Sequence, residues 1–235
     1  VTKIGKRLYD DLSQSISKFL GKYGTYFFKI SNLNKPVFVI GSSRSGTSIF
    51  TRCLGEHPDI AEWSEAGKIW DPDNYYQKDR DDQFKIKNLD QSDKRRISTI
   101  FSLYSAFQFS NRFLNKHPRN ALRTEWIEGI FPDAYFLYIV RHPVGAIESM
   151  IRRSQEGSRA EYPYGRFTKP PGWKNDLKKK PLIKFSRSWK KINQHLLSKK
   201  SNNWCLVKYE EFCRAPLKIT KSTCDFVDLD VREYP

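Results

Sequence analysis

"PVFVIGSSRSGTSIF", residues 36–50, decides how the rest of the chain is read. Its "VFVI" (37–40) has no polar residue, the pattern of a strand covered on both faces in a parallel sheet. Glycine, hydroxyl and arginine residues then form a loop, and from Gly46 to Glu56 the apolar spacing becomes helical. Strand, glycine loop, helix is the layout of a phosphate-binding loop. Gly41 and Gly46 fit the G-x-x-x-x-G spacing of that motif, but Thr47 stands where its lysine belongs, and the cation sits inside the loop at Arg44. The amides of Ser43, Arg44, Ser45, Gly46 and Thr47 can form a concave nest backed by the positive end of the helix dipole, a geometry suited to phosphate or sulfate. Ser45, Thr47 and Ser48 also suit helix capping, which uses the same geometry.

Outward from this loop the chain alternates strands and helices. "AYFLYIV" (134–140) is the strongest strand signal, with Pro143 in the first turn of the helix that follows it, "VGAIESMIRRS". Further helices are expected from Ser92 through "ISTIFSLYSAFQFSNRFL" (97–114), over "RNALRTEWIEGIF" (119–131), over 185–197 and over 217–229. "FLNK" (113–116) and "WCLVKY" (204–209) read as short strands. The pattern predicts a three-layer α/β domain with a parallel central sheet of about five strands and a P-loop-like anion site at the carboxyl ends of the strands. Residues 1–35 read as a helical extension packed on the core, and 36–235 as a single domain. Two long, turn-rich stretches, 66–92 and 155–180, read as excursions over a site.

The chain has 235 residues, with 42 Lys and Arg against 26 Asp and Glu, a formal net charge of +16 that favours an anionic partner. No zinc-finger spacing, RNP motif or basic zipper accompanies the charge, so nucleic acid is not the expected partner. No apolar run reaches the roughly 18 residues of a membrane span. The cysteines, Cys53, Cys205, Cys213 and Cys224, lack paired spacing, and the four histidines are scattered. A metal site and a disulfide framework are therefore not expected. Mostly buried thiols in a reducing, cytoplasmic compartment are the expectation; a Golgi-lumenal or membrane-associated setting is the alternative if an N-terminal anchor has been removed.

A magnesium-dependent nucleotide enzyme places a carboxylate at the end of a neighbouring hydrophobic strand. "YFLYIV" ends instead in Arg141. Sulfuryl transfer from 3′-phosphoadenosine 5′-phosphosulfate (PAPS) fits a site built from fixed cations, because the charge develops on the departing 5′-phosphate. At this point the sequence resembles the PAPS-dependent sulfotransferases. "GSSRSGTSIF" is similar to their 5′-phosphosulfate loop. "YIVRHPVGAIESM" is similar to their 3′-phosphate segment, in which an arginine at the strand end and a serine eight residues later hold the phosphate, here Arg141 and Ser149. "HPDIAEWSEAGKI", "NKHPRNALRTEWIEGIFPDAYFLYIVRHP" and "WCLVKYEEFCRAPLK" are most similar to the tyrosylprotein and glycan-type branch. The likeness spans roughly residues 36–229.

That resemblance implies PAPS as donor and PAP as product, Glu65 as catalytic base, Lys116 polarising the sulfuryl group, and Arg44 on the phosphosulfate bridge. Ser64 stands where the tyrosyl branch has an acidic residue before its base, and His142 where it has an aspartate after the phosphate arginine. The acceptor, a hydroxyl on a glycan, peptide or lipid headgroup, stays open. So does the oligomeric state. A second reading makes His117 the base, as in cytosolic sulfotransferases; strand alternation would turn it away from a site that Lys116 faces. Trp63 and Trp70 are candidates for lining the acceptor site, with Trp189, Trp204 and Tyr209 assigned to the core. From other classes, a kinase with a degenerate loop and a non-catalytic anion or nucleic-acid binder remain alternatives.

Overall fold

The structure, a computed structural model, describes residues 3–23, 33–72, 79–156, 164, 167–199 and 201–235. Its centre is a five-stranded, all-parallel sheet built from β1 (Val37–Ile40), β2 (Ile60–Ser64), β3 (Arg112–Lys116), β4 (Tyr135–Val140) and β5 (Trp204–Lys208), in the order β2-β3-β1-β4-β5. Because side chains alternate along a strand, each strand supplies both faces. Phe38, Ile40, Phe113, Phe136 and Tyr138 point to one layer, filled by α4 (Gln91–Phe107), α5 (Thr124–Ile130) and α7 (Pro181–Leu197). Val37, Val39, Leu114, Leu137 and Ile139 point to the other, filled by α2 (Thr47–Leu54), α8 (Tyr209–Arg214) and α9 (Pro216–Phe226). A smaller cluster lies under α6 (Pro143–Glu156), where Ile147 and Met150 meet Tyr164, Phe167, Trp173 and Phe185.

Helix α1 (Lys3–Tyr23) packs on α4: the Tyr9 hydroxyl donates to the Phe107 carbonyl, and Gln108 Nε2 donates to Asp10 Oδ1 at 3.0 Å. Residues 1, 2 and 24–32, the remainder of the expected extension apart from 33–35, lie outside the described residues. No described helix is long and apolar enough to cross a membrane.

The sheet departs from the sequence expectation in three places. The helix expected to run through residue 114 stops at Phe107. Phe109 takes a left-handed φ of 51°, and Arg112 to Lys116 then enter the sheet between β1 and β2, where ladder hydrogen bonds outweigh helix periodicity. The helix expected over 119–131 is a 3-10 turn, Pro118–Leu122, followed by α5, with Arg123 out of helical conformation between them. Strand β2 has no clear strand pattern in the sequence, because as an edge strand it carries polar Glu62 and Ser64 among its apolar residues.

Candidate active site

All five strands run the same way, so the segments leaving their carboxyl ends gather on one side of the sheet. The loop after β1 begins at Gly41, where a Cβ would press on the Ile139 carbonyl of β4. It closes at Gly46, held at φ 89° with the Tyr209 ring where a side chain would stand. Arg44 is also left-handed, at φ 66°, a conformation that a non-glycine residue holds only at a cost. Ser42 and Ser45 hydroxyls meet at 2.6 Å, and the Ser45 amide bonds the Ser42 carbonyl, which fixes the turn. Helix α2 then starts at Thr47 with no side-chain cap and no acidic residue in its first turn. Its leading N–H groups therefore face an anion-favouring field. Thr47 is half-buried and Ser48 exposed on that turn.

The two segments read separately from the sequence come together. Arg44 Nε donates to Ser149 Oγ at 3.0 Å, and Arg141 donates to the Arg44 carbonyl at 3.2 Å. The Arg141 guanidinium lies 4.8 Å from the centre of the Tyr209 ring, and Gly145 leaves it room above the first turn of α6. Ser149 is buried on α6, pointing back to the loop. The Ser43 hydroxyl is engaged from the other side, accepting the Thr168 N–H at 3.2 Å.

Glu65 and Lys116 form the second focus. Lys116 pairs in register with Val39 on one side and Ser64 on the other, which sets its side chain two residues from the phosphate loop and one from Glu65. Its Nζ lies 2.7 Å from Glu65 Oε1; the lysine side chain is 4 % exposed and the glutamate 63 %. Glu65 holds a left-handed φ of 57°, with its amide bonded to the Lys116 carbonyl at 2.7 Å. A non-glycine residue in this region costs about 1–2 kcal/mol, so the surrounding bonds hold the carboxylate there against local preference. Glu62, three residues back on β2, sits elsewhere: it accepts the Ser64 hydroxyl at 2.6 Å and fills the space beside Gly55, and burial raises its pKa.

His117 is buried, and its Nδ1 accepts the Arg119 amide at 3.2 Å, capping the 3-10 turn. Burial first, then the charges of Arg123, Arg119 and Lys116, push it well below the ordinary histidine range, so it is neutral at physiological pH. Trp63 and Trp70 do not line a cleft; both are buried in the aromatic layer with Phe101, Tyr104 and Trp126. Tyr209, assigned to the core, does pack against the layer of α2, α8 and α9, and it also borders the loop at Gly46 and Arg141. Its place at the carboxyl end of β5 was the available signal. The thiols are less covered than expected: Cys224 is buried, Cys53 and Cys205 are half-buried and Cys213, at the end of α8, is exposed. No group of three metal-ligating side chains occurs among the described residues.

The chain is similar to known proteins at three levels. A Caenorhabditis briggsae protein described as a candidate protein-tyrosine sulfotransferase is 26 % identical over 129 residues, which are 53 % of this chain and 45 % of that protein. The chain thus spans less than half the length of that relative. Solved structures share the fold: a sulfotransferase domain from the curacin biosynthetic pathway (TM-score 0.58, 21 % identity, covering 85 % of this chain and 76 % of that one), and a sulfotransferase from Alicyclobacillus acidocaldarius (TM-score 0.56, 19 % identity, covering 84 % and 82 %). The model of the sulfotransferase family matches residues 36–233, from the strand before the phosphate loop almost to the last residue, and the chain belongs to that family.

Proposed function

We propose that the chain transfers a sulfuryl group from PAPS to an acceptor hydroxyl. The observation that carries this reading is the junction of Arg44 with Ser149 and Arg141, which puts a 5′-anion loop beside a second cation-and-hydroxyl pair suited to a 3′-phosphate. A donor with phosphate at both positions fits that pairing, and the uncapped α2 N-terminus fits its phosphosulfate end. When bound, PAPS supplies an activated sulfuryl group on its 5′-phosphate.

The chain's residues divide the remaining work. Glu65 takes the acceptor hydroxyl's proton as the new oxygen–sulfur bond forms. Standing 63 % exposed, it gains a drier setting only when substrates cover it. The sulfur–oxygen bond to the 5′-phosphate breaks in the same in-line displacement, and the bridging oxygen keeps the electron pair. Lys116, held in place by the sheet, and Arg44 stabilise the charge that develops on the transferred and bridging oxygens. The amides of Ser43, Arg44, Gly46 and Thr47 hold the 5′-phosphate, the Ser45 amide being spent on the Ser42 carbonyl that braces the turn, and Arg141 and Ser149 hold the 3′-phosphate. Among glycan, peptide and lipid acceptors, the tyrosine-sulfotransferase likeness favours a tyrosyl hydroxyl in a peptide.

The test is transfer of labelled sulfate from PAPS to a panel of tyrosine-containing peptides and glycans, with and without a chelator. Transfer that survives chelation supports the reading, since fixed cations replace a metal. Phosphoryl transfer from ATP that requires Mg²⁺ would overturn it in favour of a kinase.

A further inference from the structure

The two stretches expected to lie over the site, 66–92 and 155–180, meet at one carboxylate. Asp82 is 3 % exposed. Its N–H donates to the Lys169 carbonyl at 2.9 Å, and its Oδ2 accepts the Lys169 N–H at 2.7 Å, a two-way clasp between the stretches. Its Oδ1 lies 3.2 Å from Arg119 Nε, and its carbonyl accepts Arg123 Nε at 3.2 Å. Both arginines follow Lys116 closely, in and just after the 3-10 turn that leaves β3. Arg123 is fully buried over the Phe84 ring, 3.8 Å from its centre. Burial lowers its pKa to about 10, with Asp82 opposing the shift, so it remains a cation at neutral pH.

The clasp also reaches the phosphate loop. One residue before Lys169, the buried Thr168 donates its N–H to Ser43 Oγ. A continuous line of buried hydrogen bonds thus runs from Ser43 through Thr168 and Lys169 to Asp82, and from Asp82 to the turn behind Lys116.

We propose that Asp82 is a positioning residue that couples the phosphate loop to the acceptor-side stretches, so that an occupied loop tightens residues 79–84 and 167–169. The proposal rests on the donor reading above. Coupling of this kind is reciprocal: a chain that binds donor more firmly when these stretches are closed also closes them more firmly when donor is bound.

Hydrogen exchange on the full chain, with and without saturating PAP, tests it, alongside calorimetry of PAP binding. In the unsubstituted chain PAP should slow exchange in 43–48 and, by about fivefold or more, in 79–84 and 167–169, the effect of firming roughly one hydrogen bond. Asp82→Ala should still bind PAP and protect 43–48, but lose the protection at 79–84, which lie beyond the severed link, while Thr168 stays tied to Ser43. Asp82→Asn keeps an oxygen for the Lys169 amide and should restore part of the protection at 79–84. A purely structural Asp82 would instead raise exchange throughout the variant and leave the PAP-dependent protection at 79–84 intact, which overturns the proposal. If Asp82→Ala does not fold, Asp82→Asn alone decides: weakened protection at 79–84 supports the coupling, and unchanged protection overturns it. PAP binding that protects 43–48 alone in the unsubstituted chain refutes the coupling and leaves the donor reading standing. No PAP binding at all removes both.

Discussion

Glu65 and Lys116 divide a problem that neither solves alone. Lys116 is covered almost completely and needs a counter-charge, while Glu65 is open to solvent in a strained backbone conformation that points it back at the lysine. The pair ties the end of β3 to the residue after β2, so each side chain fixes the other, and the proposed function makes the carboxylate its base and the lysine its cation. Glu65→Gln keeps the shape but cannot take a proton, and turnover should fall by about 10² to 10⁴, as for loss of a general base. PAP affinity should stay close to that of the unsubstituted chain. Lys116→Ala should slow turnover by roughly 10² to 10³, the usual cost of losing a charge-stabilising donor. His117→Gln should have a mild effect, because the imidazole is buried, neutral and occupied as a cap. Steady-state kinetics and a PAP titration on the three variants check this set, and a dead His117→Gln beside an active Glu65→Gln would move the base to His117.

At the scale of elements, the phosphate loop depends on backbone shape more than on side chains. Gly46 combines a positive φ with a packed Tyr209 ring, so Gly46→Ala must both strain the backbone and displace the ring that lies beside Arg141. The backbone part alone costs about 1–2 kcal/mol. The expected outcome is PAP affinity lowered by tenfold or more, on the order of the 1.4 kcal/mol that a tenfold change represents, with the denaturation midpoint lowered only modestly. Undiminished PAP affinity would show that the loop does not hold the donor. This loop was legible in the sequence because a strand, two spaced glycines and a helix leave a local record, and β4, α6 and α7 were legible for the same reason. The boundary of α4 and the strand character of β2 were not, since both are decided by pairing with strands far away in the chain. Tyr209 and Asp82 escaped for a related reason: each works through partners more than 60 residues away, Arg141 and Lys169.

Across the whole molecule, the parallel sheet works as a mounting plate: its strands deliver Gly41, Glu65, Lys116, Arg141 and Tyr209 to one rim from positions spread over most of the chain. The order β2-β3-β1-β4-β5 puts the phosphate loop at the centre of that rim, with the Glu65–Lys116 pair to one side and the Arg141–Ser149 pair to the other. In the proposed function one side serves chemistry on the acceptor and the other recognition of the donor's far end, where the 3′-phosphate would separate PAPS from AMP. A calorimetric titration of the unsubstituted chain and of Arg141→Ala with PAP and with AMP reads this division directly. Losing a charge-assisted, partly buried contact costs about 1.5–3 kcal/mol, so PAP should bind the unsubstituted chain at least about tenfold more tightly than AMP, and Arg141→Ala should shrink that gap. Equal binding of PAP and AMP by the unsubstituted chain would contradict the account.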